Sequence, residues 1–162
     1  MKKKCKLLSF DSSTKSTGYA LFVNGKYSES GRLDHEKDKN KAYERSLVMM
    51  GEIIDLLNKY NPDIVTIELP HFSKDAQTHL CLGMIIGSVV GYCIEHDIFY
   101  YPVRASEWRS LIGPYPKKRD DVKAWGIEKT KELFNIDVEC DDESDAILMC
   151  QAYVNKWGDK NE

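Results

Sequence analysis

The chain has 162 residues, 42% hydrophobic and 30% charged, the ordinary make-up of a soluble globular protein with room for one core. Its net charge of −3 and pI near 5.8 argue against a generic nucleic-acid binder, which is usually basic. The basic start Met1–Lys6 lacks a signal peptide's apolar segment, and the apolar stretch Leu80–Ile94 is shorter than the roughly 20 residues a membrane span needs.

Residues 5–10, 17–23 and 27–33 read as three successive strands, and Asn24-Gly25 between the last two is a hairpin turn signal. Leu47, Ile53, Ile54, Leu56 and Leu57 recur at helical spacing over 41–59, and Asn61-Pro62 stops that helix. Residues 63–68 read as a buried strand, 75–95 as a long helix and Ile98–Val103 as a fifth strand. A mostly polar segment follows, with turn signals at Gly113-Pro114-Tyr115-Pro116, then helices over 119–134 and 142–156. This order implies an α/β fold: an antiparallel meander extended by parallel strands into a mixed five-stranded sheet, with helices on both faces. No repeat or linker divides the chain, so residues 1–162 are read as a single domain. The five cysteines (Cys5, Cys81, Cys93, Cys140, Cys150) are odd in number and lack C-x-x-C spacing. That pattern fits a reduced, cytoplasmic setting and disfavours a zinc site.

Gly83, Gly87 and Gly91 recur every four residues in the helix over 75–95 and share one face. Each costs about 1 kcal/mol relative to alanine. Such a face admits close approach of another backbone, either the sheet or a second subunit.

Four separated acids stand where α/β folds collect functional groups. Asp11 ends the apolar run Leu7-Leu8-Ser9-Phe10, and Glu68 ends Ile64-Val65-Thr66-Ile67. Asp142 and Asp145 open the apolar helix that continues Ala146-Ile147-Leu148-Met149. A strand-end Asp is usually a turn former and first-turn acids complement a helix dipole, but a buried strand rarely ends in Glu without a partner. Converging, two like charges about 4 Å apart repel by roughly 4 kcal/mol at an effective dielectric near 20. Clustered carboxylates are the usual ligands of Mg²⁺ or Mn²⁺, which would offset that repulsion. Asp141 is read as the helix N-cap and, four before Asp145, can exchange roles with Asp142. His71, His79 and His96 are read as surface or satisfied histidines. Trp108 and Trp125 are read as packing residues, with Trp108-Arg109 beside a polar loop a candidate DNA contact.

The segments 8–20 (Leu8 to Ala20, around Asp11), Ile64–Glu68 and Asp142–Ala146 follow the order and spacing of three acidic motifs. In these the chain resembles the RuvC-type Holliday junction resolvases of the ribonuclease H-like superfamily, particularly their phage-type members. The resemblance implies a metal-dependent endonuclease that cleaves four-way or other branched DNA, working as a homodimer joined through helix 75–95. It implies two Mg²⁺ (or Mn²⁺) ions about 3.5–4 Å apart per site, Asp11 bridging both and Glu68, Asp142 and Asp145 completing the set. The family's lysine near the start of its basic helix falls on Arg119, with Lys118 beside it, and the nearest candidate for its DNA-contacting aromatic is Phe72, one place off, with His71 beside it. Ser12, Ser13, Thr14 and Lys15 would offer hydroxyls and N–H groups to phosphates, and Arg109, Lys117 and Lys123 further positive charge. Ser12-Ser13 stands where the family commonly has Pro-Gly. Three alternatives remain at this stage: a ribonuclease H acting on RNA–DNA hybrids, a nucleotide-binding domain of the sugar-kinase and actin-like type, and a DNA-binding scaffold that has lost catalysis.

Overall fold

The structure, a computed structural model, describes residues 5–71 and 75–158. Among these residues one sheet runs in the order β3-β2-β1-β4-β5. Its strands are β1 (Lys6–Ser12), β2 (Ser16–Val23), β3 (Lys26–Asp34), β4 (Ile64–Leu69) and β5 (Phe99–Arg104). The first three form an antiparallel meander, turned by Asn24 and Gly25, both at positive φ (51° and 73°) as a tight hairpin requires. β4 adds parallel to β1, and β5 parallel to β4. The helices are α1 (Ala42–Tyr60), α2 (Ala76–Glu95), α3 (Ala105–Ile112), α4 (Arg119–Phe134) and α5 (Asp141–Trp157).

Alternation along β1 divides the core. Leu8 and Phe10 pack with Met49, Ile53 and Leu57 of α1 and Ile85, Val89 and Cys93 of α2. Leu7 points the other way, onto Ala146, Ile147 and Cys150 of α5. Ser9 shares that second face, and its hydroxyl donates to the Ala146 carbonyl at 2.6 Å. A period-two strand thus fixes both layers at once. Residues 144–150 of α5 are buried without interruption, because β1 and β2 cover one side of the helix and α3 and α4 flank it.

Three expectations need correction. The segment after β5 is not a polar connection: residues 105–112 form α3, whose Trp108 packs with Val103, Leu148, Met149 and Ala152. Apolar residues at Ala105, Trp108, Leu111 and Ile112 supply a short helical stripe. Asp141 does not cap α5; Cys140 holds the N-cap position without a side-chain hydrogen bond, and Asp141 is the first helical residue. Nor do the glycines of α2 pack on the sheet: a Cβ at Gly83, Gly87 or Gly91 would meet nothing within 4 Å. At 20 residues α2 is long and apolar enough to match a membrane span, yet its Cys81-Ile85-Val89-Cys93 stripe lies in the protein core. No disulfide joins the cysteines among the described residues.

Candidate active site

The strand register brings the first two acids together. β1 and β4 run parallel with Phe10 opposite Ile67, so the next step sets Asp11 beside Glu68. Both share the side-chain parity of Leu7 and Ser9 and therefore face α5. Across β1 and β2, Asp11 is paired with Gly18. A Cβ at Gly18 would fall 1.9 Å from the Asp142 carbonyl oxygen, so only glycine admits the first turn of α5 to the strand end. One turn further, Asp145 meets α4 closely: a Cβ at Gly126 would lie 3.1 Å from its Oδ1.

Glu68, Asp145, Asp142 and the neighbouring Asp141 each have a polar partner of their own. The Trp108 indole N–H donates to Glu68 Oε2 at 2.6 Å. Arg109 Nη2 donates to Asp145 Oδ2 at 3.0 Å. The Ser16 hydroxyl donates to Asp142 Oδ2 and accepts from Arg32 Nε at 2.7 Å. Asp141 Oδ2 pairs with Lys123 at 2.6 Å. Among the described residues, no three His, Cys, Asp or Glu side chains close as a coordination group.

Electrostatically the four acids behave as one cluster. Burial, then the charges of Glu68, Asp145 and Asp142, hold the Asp11 carboxyl well above its usual value. Burial pushes Asp145 up to about 7, against the pull of Arg109 and with added repulsion from Glu68. Burial raises Glu68 too, opposed by the Trp108 hydrogen bond and by Arg109, and raises Asp142, opposed by Ser16. Carboxylates that resist ionising together favour added positive charge, and an all-oxygen donor set suits a hard divalent cation such as Mg²⁺ or Mn²⁺. By donor chemistry and mutual repulsion these residues fit such an ion.

Beside the cluster opens a cleft of about 690 Å³. Glu68, Asp141 and Asp145 line its acidic part, and Arg109, Lys117, Arg119 and Lys123 its basic part. Asp11 and Asp142 are not among its lining residues, nor is Lys118, which is exposed at the N-cap of α4. His71, exposed, sits on the rim.

The loop after Asp11 is turned on itself. Ser13 Oγ accepts from the Lys15 and Ser16 backbone N–H groups at 3.2 and 3.0 Å and donates to the Ser16 carbonyl at 2.9 Å. The Ser13 N–H also goes to the Ser16 carbonyl at 2.8 Å. Groups expected to meet phosphate therefore close a local turn. Thr14 is buried, Lys15 is exposed, and Ser12 Oγ is buried without a partner. Phe72 lies outside the described residues.

Sequence reasoning placed Trp108 in the core, where it is 1% exposed, but missed its bond to Glu68. It also missed Ser16 and Arg32 as partners of Asp142. Ser16 carried a readable signal, lying two residues before the glycine that pairs with Asp11.

The family described as Lactococcus phage M3 protein matches residues 1–156. A crossover junction endodeoxyribonuclease RuvC from Caldicellulosiruptor saccharolyticus is 23% identical over 154 residues, spanning 92% of this chain and 92% of that protein. Among solved structures, T. thermophilus RuvC in complex with Holliday junction substrate superimposes with a TM-score of 0.73 at 11% identity, over 97% of this chain and 96% of that one. Fowlpox virus resolvase, in complex with its substrate Holliday junction DNA, gives 0.63 at 16% identity, over 93% and 97%. The fold is that of the RuvC-type, ribonuclease H-like proteins.

Proposed function

Since the chain belongs to the family of the Lactococcus phage M3 protein, and its fold is RuvC-like, we propose that it is a phage-type, metal-dependent endodeoxyribonuclease that resolves four-way DNA junctions. One observation carries the reading: strand register and Gly18 gather Asp11, Glu68, Asp142 and Asp145 at one end of the sheet, beside a cleft with a basic wall. RuvC of Caldicellulosiruptor saccharolyticus and the junction-bound resolvases support the substrate class.

Asp11, Glu68, Asp142 and Asp145 would hold two Mg²⁺ (or Mn²⁺) ions, which when bound supply Lewis-acid activation of water and charge stabilisation at the leaving oxygen. The remaining work belongs to the chain itself. Lys117, Arg119 and Lys123 on the cleft wall draw in the phosphate backbone and orient it against the acids. Arg119, which lines the cleft where Lys118 does not, would stabilise charge developing on the phosphorus oxygens. Asp141 holds Lys123, which leaves Asp142, seated against Gly18, as the acid nearer Asp11's charge. With a net charge of −3, affinity for duplex DNA is weak and falls steeply with salt. Branched shape, more than base edges, sets specificity. A junction has two strands to cut symmetrically, which suits a twofold dimer. The open glycine face of α2, flanked by exposed Leu80 and Ile94, is the surface proposed for it. Cysteines without a disulfide among the described residues accord with work in the cytoplasm, here that of the phage host.

The test is incubation with a synthetic four-way junction, a matched duplex and an RNA–DNA hybrid, with and without Mg²⁺. Symmetric, Mg²⁺-dependent cleavage of the junction alone is expected. Cleavage confined to the hybrid would make the protein a ribonuclease H instead. Asp145→Asn should abolish cleavage and keep junction binding; retained cleavage would remove Asp145 from the site.

A further inference from the structure

The bond between Trp108 and Glu68 has no counterpart in packing needs. Trp108 is 1% exposed and wedged by Val103, Leu148, Met149 and Ala152, a setting in which a phenyl ring would keep most of the apolar contact. What the indole adds is one N–H, and a buried indole N–H needs an acceptor. Here the acceptor is Glu68 Oε2 at 2.6 Å, short and charge-assisted, which leaves Oε1 without a hydrogen bond among the described residues. Glu68 sits opposite Val103 in the β4–β5 ladder, and Val103 contributes to the same cluster as Trp108. The helix that carries the indole is therefore anchored on the strand beside the carboxylate. The next residue, Arg109, stacks on the Trp108 ring at 4.8 Å and reaches Asp145. Two consecutive residues of α3 thus address two different acids of the site.

We propose that Trp108 is a positioning residue: its indole N–H fixes the orientation of the Glu68 carboxylate so that Oε1 faces the shared acid cluster. This rests on the nuclease reading above and deepens it. Locking a ligand carboxylate from behind removes the rotational freedom it would otherwise lose on binding an ion, and loss of such support typically costs about 10–100-fold in metal affinity or activity. Trp108 acts through Glu68 and does not touch substrate.

The experiment compares the parent chain with Trp108→Phe, which keeps the ring and deletes the donor. Mg²⁺ is titrated against the DNA-free protein and read as thermal stabilisation; cleavage of a four-way junction is measured in parallel. The expected result is a Mg²⁺ midpoint raised about tenfold or more, a matching shift in the Mg²⁺ dependence of cleavage, and unchanged junction binding. A purely structural role would lower the Tm and leave the Mg²⁺ midpoint in place, and that outcome overturns the proposal. A parent chain that neither cleaves nor responds to Mg²⁺ removes the nuclease reading and this inference with it. Should Trp108→Phe not fold, the double variant Trp125→Phe/Trp157→Phe leaves Trp108 as the sole indole. Its fluorescence should then change with Mg²⁺ over the same range as the thermal shift, and an emission indifferent to Mg²⁺ rejects the role.

Discussion

Neutralising one acid should make this protein more stable, by an amount that depends on pH. Asp145 is 8% exposed, in the first turn of α5, and its carboxyl is pushed up to about 7 from an ordinary value near 3.8. The folded state therefore holds the proton more tightly than the unfolded chain does. A group of this sign favours folding below its unfolded value, and that advantage is lost as pH rises through about 7. At pH 8 the ionised carboxylate disfavours the native state by about 4 kcal/mol relative to a neutral group; at pH 5 the native carboxyl is protonated, and taking up that proton from the ionised unfolded group still costs about 2 kcal/mol. Asn at this position is neutral throughout and keeps an oxygen for Arg109 to donate to.

Urea or thermal unfolding of the parent and Asp145→Asn, in EDTA at pH 5 and pH 8, measures the difference directly. At 2–4 °C per kcal/mol for a chain of this size, the variant should melt roughly 10 °C higher at pH 8, with about half that gap at pH 5. Millimolar Mg²⁺ should raise the parent's Tm at pH 8 and leave the variant nearly unmoved, because binding to the native state alone is what stabilises it. A variant no more stable than the parent at pH 8, or a gap independent of pH, would mean that Arg109 fully compensates Asp145. The argument from acid repulsion would then fail.

Three further outcomes follow from the same geometry. Gly18→Ala puts a methyl 1.9 Å from the Asp142 carbonyl oxygen, so α5 must shift; a loss of about 3 kcal/mol in urea unfolding and of junction cleavage is expected, and near-parent stability would refute the close approach. Arg109→Met strips Asp145 of its cation and should cost roughly 2 kcal/mol at pH 8 but much less at pH 5, where the carboxyl carries a proton; an equal loss at both pH values would show the arginine matters only for packing. Sedimentation of the parent should give twice the 18.6 kDa chain mass at micromolar concentration, and Gly87→Leu, at a position where a Cβ meets nothing within 4 Å among the described residues, should return folded monomer; a monomeric parent, alone and on junction DNA, would dismiss the α2 interface.

Much of this site was legible in the sequence because strands and buried helices obey short-range rules. Leu7-Leu8-Ser9-Phe10 marked β1 by its apolarity, and ending it in Asp marked the position where the chain leaves the core. The same rule placed Glu68, and the need of a buried Glu for a partner was met by the Trp108 indole. What escaped reading was set by contacts far apart in sequence. Trp108 lies 40 residues from Glu68, and Arg109 lies 36 from Asp145, on a helix of eight residues whose charged members masked its apolar stripe. Ser16 and Asp142 are 126 apart and meet only because Gly18 lets α5 close on β2. Loop 12–16 is open to two readings for a different reason. Its hydroxyls and N–H groups are equally suited to binding phosphate or to closing a turn, and the turn partners lie two or three residues away.

The fold has to carry four acids that resist sharing one place, and the arrangement of α5 explains how it does. Ile147, Leu148 and Met149 directly follow the acid turn and are 0–1% exposed. Burying side chains of this size stabilises by about 2 kcal/mol each. That is comparable in sum to the penalty of ionised Asp145, before Ala146, Cys150 and Ala152 are added. The Ser9 hydroxyl bond to the Ala146 carbonyl ties the same turn to β1, next to Asp11. Repulsion at the mouth of the site is thus opposed by apolar burial one turn deeper on the same helix. Substitutions of Ile147 or Leu148 should on this account disturb the acids before they unfold the sheet, since both are fully buried and directly follow the turn that positions Asp142 and Asp145.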